Sequence, residues 1–282
     1  MNSRDVAVRI YGLFAEDNPK LLKRIPQHVL NDAGNIFHKE NIIGFRAADL
    51  NRVIHIFNDT HKDLAREQLI CKELNRGVDE HFGDDIQIIT AVCIHDATHV
   101  LMLRLRQETT VDGYDKDTFT YPQGHCTYNK AFVDRKNLGS PAWTFYAVAA
   151  KAKDDAYREV QEELWVEDDY LRAEFMAAFF ERLFKFPTAA RPYAIYCNKS
   201  GTTRRHLCLL FDVDMTNTCF STMADHIMSH EPEKHSVEIM TFQDIIQLSR
   251  PDLLCPWVAA SFSKLPFMTT TFIKDYIRKI PS

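Results

Sequence analysis

Residues 158–166 read Arg-Glu-Val-Gln-Glu-Glu-Leu-Trp-Val, with three carboxylates within five positions. A helix through this run projects Glu159, Glu162 and Glu163, at i, i+3 and i+4, from one side. Like charges so placed destabilise an isolated helix by roughly 0.2–0.5 kcal/mol per pair. A divalent cation bound between them reverses the sign of that interaction, and hard carboxylate oxygens of this kind suit Mg2+ or Mn2+. Arg158, four positions before Glu162, is placed to hold a carboxylate. The competing reading is a solvated acidic face, which is what most charge runs are.

The surroundings favour the cation. The run resembles the helix of the Nudix hydrolase superfamily, whose pattern is Gly-x5-Glu-x7-Arg-Glu-U-x-Glu-Glu-x-Gly-U with U aliphatic, and Arg158, Glu159, Val160, Glu162, Glu163 and Val166 match it. Asp154-Asp155-Ala156-Tyr157 precedes the match, where the family often has an acidic residue and an alanine. Two positions depart. Trp165 stands where the family has the glycine that ends the helix, so the usual left-handed cap is missing. Counted back from Arg158, the family's Glu falls on Ala150 and its Gly on Thr144.

Tyr121-Pro122-Gln123-Gly124-His125 is similar to the glycine turn that opens the same motif. Taking Gly124 as that glycine makes the loop to Arg158 about twenty residues longer than the standard spacing, as in phosphoesterase-like branches with a Gly-Gly-His turn and an insertion. By itself a Pro-Gln-Gly-His sequence is an ordinary turn. Downstream, Ala194–Cys197, the turn Asn198–Gly201 and His206–Val213 read as strand, turn, strand, and Glu238, a helix over Phe242–Leu248 and Pro256-Trp257 follow in the family's order. The resemblance spans roughly residues 86 to 262.

Ile86–Ile94 is a buried-strand pattern, and His99–Leu105 alternates as its hairpin partner, Val100, Met102 and Arg104 against Leu101, Leu103 and Leu105. The inserted stretch Cys126–Lys153 contains Ala142–Val148, which either starts the acidic helix early or packs against it. Leu171–Phe186 reads as an amphipathic helix rich in Phe and Met, a core stripe whose second use is a homodimer interface. Residues 1–85 read as a separate, largely helical segment, with helical spacing from Ala47 to Leu74 broken near Asn58-Asp59-Thr60, and turns at Asn75-Arg76-Gly77 and His81–Asp85 as linkers. The expected architecture is α/β: a Nudix-type α/β/α sandwich with a mixed sheet over 86–282, carrying C-terminal helices, plus that N-terminal segment.

Composition bounds the function. At 282 residues, 45% hydrophobic and 26% charged, the chain can bury a sizeable core. A net charge of −5 offers no basic patch for general nucleic-acid binding, so an anionic substrate has to be met by local Lys and Arg or by metal. The seven cysteines are odd in number and never form a CxxC pair, so they read as reduced thiols in a cytoplasmic protein. No apolar leader or membrane-length run is present.

The resemblance implies a Mg2+- or Mn2+-dependent hydrolase that cleaves a diphosphate bond in a nucleotide derivative. It implies Glu162 and Glu163 as metal ligands, Glu159 as third ligand or base, the Gln123 backbone carbonyl as a further ligand, and Arg158 as the residue orienting a glutamate. Glu238 is a candidate late base. Arg104, Arg106 and His125 are candidate substrate contacts. The alternative is a domain of the same fold that has lost catalysis and serves as a nucleotide-sensing or interaction module.

Overall fold

The computed structural model describes residues 41–75, 85–106, 116–128, 143–185, 190–198, 205–223, 225–248 and 253–264. Their strands are β1 (Asn41–Arg46), β2 (Gln68–Leu69), β3 (Lys72–Asn75), β4 (Asp85–His95), β5 (His99–Leu105), β6 (Phe119–Thr120), β7 (Gln123–His125), β8 (Trp143–Thr144), β9 (Leu164–Val166), β10 (Pro192–Asn198), β11 (Arg205–Asp214), β12 (Ile227–Ser229) and β13 (His235–Thr241). The helices are α1 (Leu50–Asn58), α2 (Phe145–Glu163), α3 (Asp169–Phe184), α4 (Phe242–Ile246) and α5 (Pro256–Lys264). No described helix is long and apolar enough to cross a membrane.

β4 is the centre of a mixed sheet. One edge pairs in parallel with β11 from Gln87↔His206 to His95↔Asp214. The other edge is shared by three antiparallel partners in succession: β1 (Gly44↔Gln87), β7 (Thr90↔Gly124) and β5 (His95↔Val100). Beyond β11 lies β10, and beyond β1 lies β3.

Strand side chains alternate between faces, and β4 is buried on both. Ile88, Val92 and Ile94 face one core, where α1, α2 and α3 supply residues such as Val53, Ala152, Val160 and Phe179. Ile89, Ala91 and Cys93 face a second core, with Ile245 of α4 and Trp257 and Val258 of α5. The result is the α/β/α sandwich with a mixed sheet that the sequence predicts.

Residues 41–75 correct the expected division of the chain. Their helical spacing yields only α1, and β1 pairs with β4 while β3 extends the same sheet. Ile42, Ile43 and Phe45 are fully buried, so this part belongs to the sandwich and there is no break in it at residue 85. Residues 1–40 and the linker turns at 76–84 lie outside the described residues, as do 129–142 and 199–204. The β4–β5 hairpin forms, but β5 runs mainly along β13, from His99↔Thr241 to Leu105↔His235.

α2 begins early, at Phe145. Thr144 accepts a hydrogen bond from the Ala147 N–H at 3.1 Å, an N-cap of the usual kind, and alanines at 147, 149, 150, 152 and 156 favour the helix. At its other end no glycine is needed, because Leu164 is extended (φ −111°, ψ 135°) and the chain passes directly into β9. β9 then pairs with β12. α3 buries Phe175, Phe179 and Leu183, which makes its apolar stripe core.

Candidate functional site

α2 lies over β7, and the contact is made by a glutamate on a glycine. A Cβ on Gly124 would occupy the position of the Glu159 carboxylate, so only glycine admits that group against the strand. One residue earlier, the Gln123 N–H donates to Glu163 Oε2 at 3.2 Å. That N–H points away from β4, and a residue's N–H and C=O project to the same strand edge. The Gln123 carbonyl therefore faces the edge where Glu163 lies.

A buried network fixes the helix to this strand. Asp155 is 2% exposed and Lys151 7%. Lys151 Nζ donates to Asp155 Oδ1 at 2.5 Å and to Thr127 Oγ1 at 2.7 Å. The Thr127 N–H and hydroxyl each donate to Asp155 at 3.0 Å. A fully hydrogen-bonded buried pair of this kind is strongly coupled.

Arg158 bridges two of the three glutamates, donating to Glu159 at 2.6 Å and to Glu162 at 2.7 Å. Glu162 is more than half exposed, whereas the Glu159 side chain is 13% exposed. Burial is the main cause that pushes the Glu159 carboxyl up to about 7, with Glu162 and Asp155 adding to it against the opposing Arg158. Glu163 is pushed well above the ordinary carboxylate range by burial first, then by Glu159, Glu231 and Glu162, against the one hydrogen bond from Gln123. The helix end is held from the other side: the His230 N–H donates to the Glu163 carbonyl at 3.1 Å, and the His235 ring bonds the same carbonyl.

Among the described residues no three His, Cys, Asp or Glu side chains already converge as a metal cluster. The Arg158 guanidinium takes up oxygens of Glu159 and Glu162. The donor set nonetheless fits a hard divalent cation. Two half-enclosed carboxylates hold raised proton affinities side by side, a peptide carbonyl faces the same edge, and every donor atom is oxygen.

The structure brings Arg158, Glu159, Glu162, Glu163 and Gln123 together. It does not bring the other four sequence candidates to them. Glu238 and Arg104 stand on the sheet face opposite α2, in register with Met102 and Met240 of the second core, and pair with each other at 3.5 Å. Arg104 also binds Asp117 at 3.0 Å. Strand alternation turns His125 to that same face, where its Nε2 meets Gln87 Oε1 at 3.2 Å. Arg106 is exposed at the end of β5. Sequence reading named Asp155 only as an acidic residue before the match and missed its buried partner Lys151, because the two resemble a surface i, i+4 pair. It also gave no role to Glu231 and His235, whose place beside Glu163 follows from the pairing of β12 with β9, Ser229↔Leu164, and not from any motif.

An acidic helix laid over a glycine turn, in a mixed sheet between helical layers, is the arrangement that the sequence resemblance implies. No family model matches the sequence, and no curated protein matches it. Solved structures similar to this chain include the following two. One is Tm1382, described as a candidate Nudix hydrolase, at 15% identity and TM-score 0.38, covering 73% of this chain and 88% of that one. The other is a NUDIX family hydrolase from Clostridium perfringens, at 12% identity and TM-score 0.30, covering 61% and 90%. The site of this chain rests on its own geometry, not on those distant likenesses.

Proposed function

We propose that the chain is a Mg2+- or Mn2+-dependent diphosphohydrolase that cleaves a diphosphate bond in a small nucleotide derivative by attack of water on phosphorus. The observation that supports it is the pair of sequestered carboxylates, Glu159 on Gly124 and Glu163 on Gln123, with raised proton affinities and no positive partner for Glu163 among the described residues. A cation supplies the missing positive charge, neutralises the phosphates and acidifies the attacking water. Glu163, Glu162 and the Gln123 carbonyl would hold it. Glu159, seated on the strand, would serve as further ligand or as acceptor of the water's proton. Arg158 positions Glu159 and Glu162. The three glutamates titrate as a unit, so no proton belongs to one alone. The low basic content supports a small substrate in place of long nucleic acid, and a cytoplasmic setting fits seven cysteines that never form a CxxC pair.

A second reading, a catalytically retired domain that senses a nucleotide, is favoured by Arg158 already neutralising Glu159 and Glu162. A panel of nucleoside diphosphate sugars, nucleoside triphosphates and dinucleotides, each with Mg2+ and Mn2+, separates the two. Phosphate or nucleotide release by the wild type, lost in Glu162→Gln, is expected of the enzyme. Mn2+ binding with no compound turned over selects the sensor. No Mn2+ binding at all overturns both.

A further inference from the structure

We infer that the hollow at the C-terminal end of α2, walled by Trp165, binds a neutral heteroaromatic ring with hydrogen-bonding edges, the nucleobase class. It is a second site, separate from the carboxylates. The hollow has a volume of about 390 Å3 and is lined by Gln161, Trp165, Asp169, Arg172, Met176 and His230, with Leu164, Val166 and Phe175 beneath. That volume falls at the small end of the range for small-molecule pockets, roughly 300–1,000 Å3. It suits a single ring system.

The chemistry of the walls sets the ligand. Leu164, Val166 and Phe175 are 7%, 2% and 1% exposed and form an apolar floor. Trp165 presents an aromatic face, with the His230 ring edge-on at 5.0 Å and the Arg172 guanidinium 4.4 Å from the indole centre. Arg172 is already paired with Asp169 at 2.6 Å. The charges at the rim therefore cancel, and an ionic ligand gains little there. A flat, uncharged ring gains stacking on indole and guanidinium, and its edge meets the Gln161 amide and the Asp169 carboxylate. Gln161 lies two positions from both Glu159 and Glu163, about 200° around the helix, so α2 turns this hollow away from those two carboxylates.

Adenosine is the probe and ribose the base-free control, each titrated against the full chain by equilibrium dialysis and, for the wild type, by tryptophan fluorescence. Trp143 and Trp257 are each 2% exposed, so quenching reports on Trp165. Saturable adenosine binding is expected, without a response to ribose. It should weaken tenfold or more in Trp165→Leu and in Arg172→Leu, and stay unchanged in Glu162→Gln. The inference is overturned by absent saturation, by binding that survives both pocket variants, or by binding lost in Glu162→Gln, which would place adenosine at the carboxylates. A dimer that Trp165→Leu converts to monomer overturns it too, because a second copy would then fill the hollow. Neither turnover nor Mn2+ binding enters this test, so its failure and that of the hydrolase proposal are distinguishable.

Discussion

Gly124 decides where Glu159 can be. Alanine there puts a methyl group into the space of the carboxylate, so Gly124→Ala should displace Glu159 without unmaking the sheet. Mn2+ affinity by isothermal titration should fall about 10–100-fold, the loss typical when the support of a metal ligand is disturbed, while the circular dichroism spectrum stays that of the wild type. Glu163 gives the complementary case. It is a buried carboxylate repelled by Glu159, Glu231 and Glu162, so Glu163→Gln relieves repulsion in the metal-free protein. The expected result is a melting temperature raised by about 2–4 °C, the equivalent of roughly 1 kcal/mol in a domain of this size, together with lost Mn2+ binding. An unchanged or lower melting temperature would refute the repulsion argument. Residue types on one helix flank made these glutamates legible. The face of Glu238 was not, because side-chain direction on β13 is set by its register with β5, and nothing local in the sequence fixes that register.

α2 is the element that organises the site, and its attachment to Thr127, just past β7, is as important as its glutamates. The Lys151–Asp155–Thr127 network lies between them, almost wholly out of water. Asp155→Ala strips the partner from a buried ammonium and leaves two donors of Thr127 unmet. Breaking a buried pair in this way costs about 3–5 kcal/mol, measurable as a large drop in the urea midpoint. A change below about 1 kcal/mol would show that the pair is solvated. The early start of α2 was one of two readings of Ala142–Val148, and the alanines from Ala147 onward favour it. The strands in residues 41–75 were hidden for the opposite reason: Ile42–Phe45 is a four-residue apolar run, too short for its period to separate strand from helix.

Across the whole molecule, His95 and Asp212 tie the ends of β4 and β11 together, Nε2 to Oδ1 at 2.7 Å. Burial alone would lower the imidazole, but the hydrogen bond and charge of Asp212 outweigh it and raise His95 above its ordinary value. A raised folded-state value means that the pair's stabilisation is complete below about pH 6.5, the unfolded value, and fades as pH rises through the folded one. Thermal melts between pH 6 and 9 should therefore show stability declining along the alkaline side, with a shallower decline in Asp212→Asn. An identical slope in the variant would remove His95 as its source. The overall α/β/α plan was readable from β4, the β10–β11 hairpin and α2, each carrying its own period. How β1 joins them depends on contacts distant in sequence.

That joining has a practical corollary. β1 covers the first part of one flank of the central strand, and Ile42, Ile43 and Phe45 plug the layer behind it. A polypeptide begun at residue 86, where a boundary first suggests itself, would carry a row of bare amides and a greasy notch beside them. Light scattering should find it clumping with its own kind, whereas the intact chain stays dispersed.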